Sequence, residues 1–392
     1  MDLVSILELN PFQLVQAALL GGTVVYGLTR QVRGLRSMNQ VAAGLGMRLS
    51  DNRASVFSRE WTLTGAWRGH PVSVRYGRRT WTDKKVPCIT VELSGVHLGL
   101  GLRAETTGDQ LRGGSAGDLR TGDAAFDRSA FVWGDELVAR ALLDAPTRAA
   151  ALAVLARAGA EVSGGTVELS DVSASVSLDA VRVLLDEAAD LADRIGPGAW
   201  SEDRLLGVAL ADPEPAVRAR ALMALWERGD PALRLRAIDA TRGHEDPVCA
   251  AIGALMSDTL ARVQETPPQH VIAAANFNPS KVSEALERLG AEDALCALLG
   301  SEVLPVQLAA VAALGRVGSV RAVEPLRPLT QGLTRDGELK RLAREAVQRV
   351  QARLGEVSPG GLSLVDGGAE AGRLSVPEAQ GALSMAAQRE RG

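Results

Sequence analysis

The sequence predicts an α+β N-terminal domain, an antiparallel sheet with covering helices, followed by an all-α solenoid. Two patterns carry that expectation. Apolar residues alternate with period two between Trp61 and Leu102, as strands with one buried face require. From Trp200 the period becomes helical and the pattern recurs roughly every 30 residues, the mark of stacked helical units. Of 392 residues 46% are hydrophobic and 23% charged, which is globular composition. Aromatics are only 3%, so Leu, Val and Ala must fill the cores. Lys plus Arg number 43 against 47 Asp plus Glu, a net charge of −4. That excludes a histone-like basic protein and a highly acidic disordered one.

Residues 1–29 form a hydrophobic N-terminal segment. Phe12 to Leu28 is mostly apolar and reaches the lower end of the roughly 17–25 residues that span a bilayer. Arg30, Arg33 and Arg36 follow it. By the positive-inside rule that charge would lie in the cytoplasm. Residues 12–28 are therefore a candidate inner-membrane anchor of a cytoplasmic protein; the competing reading is a buried helix or hairpin. No basic segment precedes them, which argues against a secretory signal.

Residues 30–198 read as the α+β domain. A short helix from Leu35 to Met47 leads into strands. Trp61, Leu63, Gly65 and Trp67 alternate, as do Val72, Val74 and Tyr76. Arg68-Gly69 turns the chain between them, since Gly accepts positive φ. Ile89, Val91 and Leu93 form a third set, and Val96, Leu98, Leu100 and Leu102 a fourth, giving an expected antiparallel meander. The Gly- and Asp-rich residues 104–128 are expected to be a long loop. After a strand at Phe131–Trp133, Asp135 caps a helix to Leu143, and Pro146 opens the next. Gly164-Gly165 signals a hairpin. Ser177 then caps a long amphipathic helix that ends at Gly196-Pro197-Gly198.

Residues 199–355 read as helical hairpins. Asp212-Pro213, Asp230-Pro231 and Asp246-Pro247 are start signals: Asp caps free N–H groups and Pro suits the first helical turn. Val217, Ala221, Ala224 and Leu225 match Val248, Ile252, Leu255 and Met256. Val306, Ala310, Ala313 and Leu314 match Leu339, Ala343, Ala346 and Val347. The stretch from Thr266 to Leu299 departs from the pattern. PAVRARALMALWERGD and LPVQLAAVAALGRVGSVRAVEPL resemble HEAT repeats, of the short bacterial kind first noted in phycobilisome lyases. The resemblance implies a solenoid and says almost nothing about activity. TGDAAFDRSAFVWGD is similar to a TGD-x-x-FD signature of uncharacterised bacterial proteins, which implies no known activity.

Residues 356–392 are Gly-, Ser- and Ala-rich and are expected to be disordered. Three units of Leu-Ser-apolar follow glycines there: Leu362-Ser363, Leu374-Ser375 and Leu383-Ser384. Repetition makes them a candidate multivalent docking tail; the competing reading is compositional bias.

Chemistry is sparse. Cys88, Cys249 and Cys296 have neither disulfide nor zinc spacing. The four histidines are scattered, and no nucleophile is paired with a base by motif. No catalytic residue, metal ligand or cofactor is predicted. Asp109, Asp118, Asp123, Asp127 and Asp135 cluster around the Gly/Asp segment, where turn chemistry explains them better than a cation. Charge is more informative. Residues 29–85 hold 12 Lys and Arg against 3 Asp and Glu, whereas residues 86–392 hold 31 against 42. Arg75, Arg78, Arg79, Trp81, Lys84 and Lys85 concentrate the basic charge near one hairpin tip, a candidate contact for an anionic surface or ligand.

The expected function is a non-enzymatic protein–protein interaction scaffold. Its helical repeats, read as acidic, would bind a protein partner, and its basic end would face an anionic membrane surface. Nucleic acid is not expected as a partner, because the basic block matches no recognised module. The alternative is an enzyme or small anionic-ligand binder that uses the Gly/Asp segment and the basic hairpin.

Overall fold

The computed structural model describes residues 36, 38–50, 61–81, 84–111, 117–157, 159–172, 177–331 and 336–357, with backbone alone at 78–81, 84–87, 110–111, 172 and 354–357. The hydrophobic segment 12–28 and the tail units at Leu362-Ser363, Leu374-Ser375 and Leu383-Ser384 lie outside the described residues. Among the described residues no helix is long and apolar enough to cross a membrane. The chain divides into two compact units between Val217 and Arg218.

The N-terminal unit is an α+β domain built on an eight-stranded antiparallel sheet in the order β1-β2-β3-β4-β8-β7-β5-β6. Helical residues 38–45 (α1) precede β1 (Arg48–Ser50). The strands β2 (Trp61–Trp67), β3 (His70–Trp81) and β4 (Lys84–Ser94) form the expected meander. Arg68 and Gly69 both take positive φ, 50° and 89°, which matches the twist of a two-residue hairpin.

The fourth expected strand does not continue the meander. β8 (Thr166–Val172) pairs with β4, then β7 (Glu161–Ser163), β5 (Leu100–Ala104) and β6 (Ala130–Gly134) follow. Gly95, at φ 108°, breaks the strand, and the Gly95 and Val96 N–H groups donate to Gly165 O on the β7–β8 turn. Leu98, placed by alternation inside a strand, is 80% exposed.

One transverse row of the sheet runs Val72–Leu93–Val167–Val162–Leu102–Val132. A second runs Leu63–Val74–Val91–Leu169. All are buried on one face, because successive strand residues point to opposite sides. Helix α6 (Leu178–Ile195) covers β4 and β8 with Val181, Leu184, Ala188, Leu191 and Ile195. Ser177 caps it at the Ala180 N–H, as predicted. Helices α4 (Glu136–Leu142) and α5 (Ala145–Leu155) complete the core and are capped by Asp135 and Asp144. Helix α7 (Glu202–Ala211), the first after residue 199, packs on α4.

Helix α8 (Pro215–Arg228) spans the division. The second unit then holds α9 (Pro231–Ala240), α10 (Pro247–Met256), α11 (Leu260–Glu265), α12 (Pro268–Ala275), α13 (Pro279–Arg288), α14 (Glu292–Leu298), α15 (Leu304–Val317), α16 (Val320–Thr330) and α17 (Gly337–Val357). These stack in two layers. In one, α10 touches α13, α13 touches α15 and α15 touches α17. In the other, α12 touches α14 and α14 touches α16. The arrangement is solenoid-like. The irregular stretch from Thr266 to Leu299 contributes α13 to the first layer, where Asn278 caps the Lys281 N–H and Pro279 opens the helix. Asn-Pro therefore does there what Asp230-Pro231 and Asp246-Pro247 do earlier. Asp212-Pro213 differs in place: Asp212 closes α7 and α8 starts only at Pro215, although Asp212 still accepts from the Glu214 N–H.

Candidate functional site

The Gly/Asp segment is more ordered than a long loop. It carries α2 (Thr107–Leu111) and α3 (Ala124–Asp127), and Leu119 N–H donates to Val132 O at 2.8 Å along the edge of β6. Its carboxylates build this order. Asp109 accepts from the Thr106 N–H and hydroxyl at 3.0 and 2.6 Å, while Thr106 Oγ1 accepts from the Asp109 N–H. Arg103 adds two parallel bonds at 2.7 and 2.9 Å. Arg103 and Thr106 hold the Asp109 carboxyl well below the usual carboxylate range. Asp118 accepts from the Val132 N–H, with Arg120 Nε 2.8 Å from its other oxygen. Burial nonetheless pushes its pKa up.

The TGD-x-x-FD residues form a closed circuit. Asp127 accepts from Thr121 N–H, Thr121 Oγ1 and Gly122 N–H at 2.8, 2.7 and 2.9 Å. Thr121 Oγ1 in turn accepts from the Asp123 N–H. Asp123 caps α3 at Ala125 and Phe126, and Phe126 is fully buried. Gly122 sits at φ 105°, and a Cβ there would lie 2.7 Å from the Ala216 carbonyl carbon. Two reasons therefore fix glycine at this position.

Arg148, on α5, joins this circuit to the α7–α8 junction. Its Nε donates to Asp123 at 2.9 Å, its Nη1 and Nη2 to Asp212 at 2.9 and 3.0 Å, and Nη1 also to Leu143 O. Burial opposes the charge of Asp123, but the Phe126 N–H and Arg148 outweigh it and hold its pKa low. Arg204 reaches Leu142 O, Asp144 and Thr147 Oγ1, and Arg140 donates to Arg120 O and Thr121 O. Leu119, Thr121, Ala139, Arg140, Leu143 and Val217 line a small recess, with room for about one water molecule. Among the described residues no group of His, Cys, Asp and Glu is placed to hold a metal ion. The carboxylates instead accept from backbone N–H groups and arginines, so the segment works as a buried polar hub. Motif reading finds its carboxylates but misses Arg148 and Arg204, and takes Asp212 only for a helix start. The available signal was an arginine inside the apolar run of α5, because arginine is rarely buried unless paired.

The basic block is divided. Arg75 lies between Glu92 at 3.2 Å and Glu168 at 3.7 Å. Arg68 pairs with Asp190 and Asp193 of α6, His70 bonds Asp193 at 2.8 Å, and Trp67 Nε1 donates to Asp186. Arg78, Arg79, Trp81, Lys84 and Lys85 lie on the β3–β4 hairpin, in register Arg78↔Pro87, Arg79↔Val86, Thr80↔Lys85 and Trp81↔Lys84; their side chains are outside the described residues. This hairpin and the Gly/Asp segment sit on strands separated by β8 and β7.

The expected acidic repeats are not acidic. Residues 218–357 hold 18 Lys and Arg against 17 Asp and Glu, whereas residues 86–217 hold 10 against 21. The acidity belongs to the second half of the N-terminal unit, where part of it faces the basic block. In the helical unit, ion pairs instead link positions about one repeat apart: Arg218–Asp246, Arg288–Asp258, Arg316–Glu287 and Arg321–Asp293. Arg353 donates to Gly315 O and Gly318 O. Cys249 is buried on α10, and burial with nearby Asp246 raises its pKa to about 12; burial with Glu292 raises Cys296 to about 11.

No protein-family model matches the chain, and no curated protein matches it significantly.

Proposed function

We propose that the protein is a non-enzymatic interaction scaffold whose helical repeats bind a protein partner and whose N-terminal segment attaches it to the cytoplasmic face of a membrane. The observation that carries the reading is the two-layer helical stack, in which successive hairpins touch only near neighbours. Such stacks present extended surfaces suited to protein ligands. The chemistry of the side chains supports a non-catalytic role: the described carboxylates of the Gly/Asp segment and Arg75 are engaged with partners of the same chain. Attachment rests on the apolar run at 12–28 and on Arg30, Arg33 and Arg36 after it.

Affinity capture with the full chain tests the scaffold. A partner identified this way should bind the purified protein directly, and Leu235→Asp on the exposed face of α9, or a similar surface change on the stack, should weaken it. A captured protein indifferent to every surface change on the stack would remove the reading. Cell fractionation of the full chain and of a form lacking residues 1–28 tests attachment; equal solubility would remove it.

A further inference from the structure

Among the described residues the β3–β4 hairpin runs past the strands that flank it. Pairing of β2 with β3 ends at Trp61↔Tyr76, and pairing of β8 with β4 ends at Cys88↔Val172. Beyond those points, among the described residues, Arg78–Trp81 and Lys84–Pro87 pair only with each other. Arg78, Arg79, Lys84 and Lys85 all fall on this two-stranded ribbon, together with Trp81. Within the sheet the same basic block meets acids supplied by neighbouring elements: Arg75 meets Glu92 of β4 and Glu168 of β8, and Arg68 meets Asp190 and Asp193 of α6. Val172, opposite Cys88, is the last described residue of the strand that carries Glu168. Asp83 is the single acid between Gly77 and Cys88, against Arg78, Arg79, Lys84 and Lys85, so the ribbon concentrates positive charge beyond the last described residues of the flanking strands. Such a concentration favours an external anion.

We propose that this ribbon, whose register sets Arg78 and Arg79 beside Val86 and Pro87 and Trp81 beside Lys84, is a contact for anionic lipid headgroups. The proposal rests on the membrane-attachment reading above and adds a lipid preference to it. Lipid is favoured over nucleic acid because the same basic block starts at Arg30, directly after the apolar run, and because Trp prefers the membrane–water interface. Arg75 does not belong to the contact, since its charge is already matched.

The test is flotation of the purified full chain with vesicles of phosphatidylcholine, alone or mixed with phosphatidylglycerol. Each basic residue near an anionic leaflet strengthens partitioning about fivefold. The four ribbon cations, one offset by Asp83, should therefore contribute on the order of 100-fold to wild-type partitioning once phosphatidylglycerol is present, and salt should reduce the gain. R78S/R79S/K84S/K85S should lose that contribution, keep the gain due to Arg30, Arg33 and Arg36, and bind phosphatidylcholine alone as the wild type does. R78K/R79K should keep the gain, which separates charge from a folding defect. Loss of binding to phosphatidylcholine alone, with the anionic gain intact, would remove anchoring by residues 12–28 and leave the ribbon contact standing. No anionic gain in the wild type, or a gain undiminished by the fourfold substitution, would overturn the proposal. So would tight binding of a single-stranded oligonucleotide by a chain that ignores anionic vesicles.

Discussion

Arg148 and Asp212, 64 residues apart, form a bidentate ion pair at 2.9 and 3.0 Å with both side chains almost wholly buried. The pair ties α5 to the α7–α8 junction, while Arg148 Nε ties the same guanidinium to the Gly/Asp segment through Asp123. Removing Asp212 takes the acid from both Nη atoms of the buried Arg148 and leaves Asp123, at Nε, as its remaining carboxylate. Asp212→Ala should therefore destabilise the N-terminal unit by about 3–5 kcal/mol in urea unfolding, whereas a double replacement by apolar residues should cost much less. Equal losses from the single and double variants would contradict this account.

Gly122 and Gly117 share the same backbone region, at φ 105° and 106°, but different surroundings. A Cβ on Gly122 would press on the Ala216–Val217 peptide; a Cβ on Gly117 meets nothing within 4 Å. Gly117→Ala should cost about 1 kcal/mol, the conformational penalty alone. Gly122→Ala should cost more than about 2 kcal/mol. Thermal unfolding of the two variants side by side checks the difference.

Acid should destabilise the fold through identified carboxylates. Asp109, Asp123, Asp246 and Glu287 have pKa values held below their ordinary range. A depressed folded-state pKa gives stability that is fully present above the unfolded value, roughly 4, and is lost as pH falls through the folded value. Asp118 acts in the opposite sense, since burial raises its pKa. Its contribution is present below pH of about 4 and fades as pH rises through its folded value. Stability should thus fall below pH of about 4, and Asp109→Asn should flatten part of that fall. An unchanged acid limb in this variant would show that Arg103 and Thr106 do not stabilise the carboxylate.

Thiol chemistry should be slow in the native state. Cys249 and Cys296 have pKa values raised to about 12 and about 11 by burial, and the thiolate is the reactive form. At pH 8, iodoacetamide should label both at least about 100-fold more slowly than a free cysteine, and Cys249 more slowly than Cys296. Peptide mapping after timed labelling reads this directly. Rapid labelling of Cys249 in folded protein would mean that α10 opens readily.

Much of the architecture is legible along the chain. Trp61–Trp67, the Arg68-Gly69 turn, Asp135, Ser177 and Gly164-Gly165 each announce their element, because alternation, capping and positive φ are local matters. Leu98 is the instructive exception. Its alternation is that of a strand, yet the β7–β8 hairpin takes the place beside β4, and Leu98 is left in solvent. Sheet order is a contest among strands distant in sequence, which no local pattern records. The stretch from Thr266 to Leu299 departs from the pattern for a simpler reason: Asn278-Pro279 does there the capping that Asp-Pro does elsewhere.

Charge divides in the same way. The sequence alone determines that residues 29–85 are basic and that the chain as a whole is almost neutral. It does not determine which charges meet. The tertiary structure sets Arg75 between Glu92 and Glu168, aims Arg68 at α6, and closes the Gly/Asp carboxylates on Thr121, Arg103 and Arg148. Short-range rules write helices and strands into neighbouring residues. Ion pairing depends on a few ångströms between atoms, and only the folded sheet and its covering helices bring those atoms together.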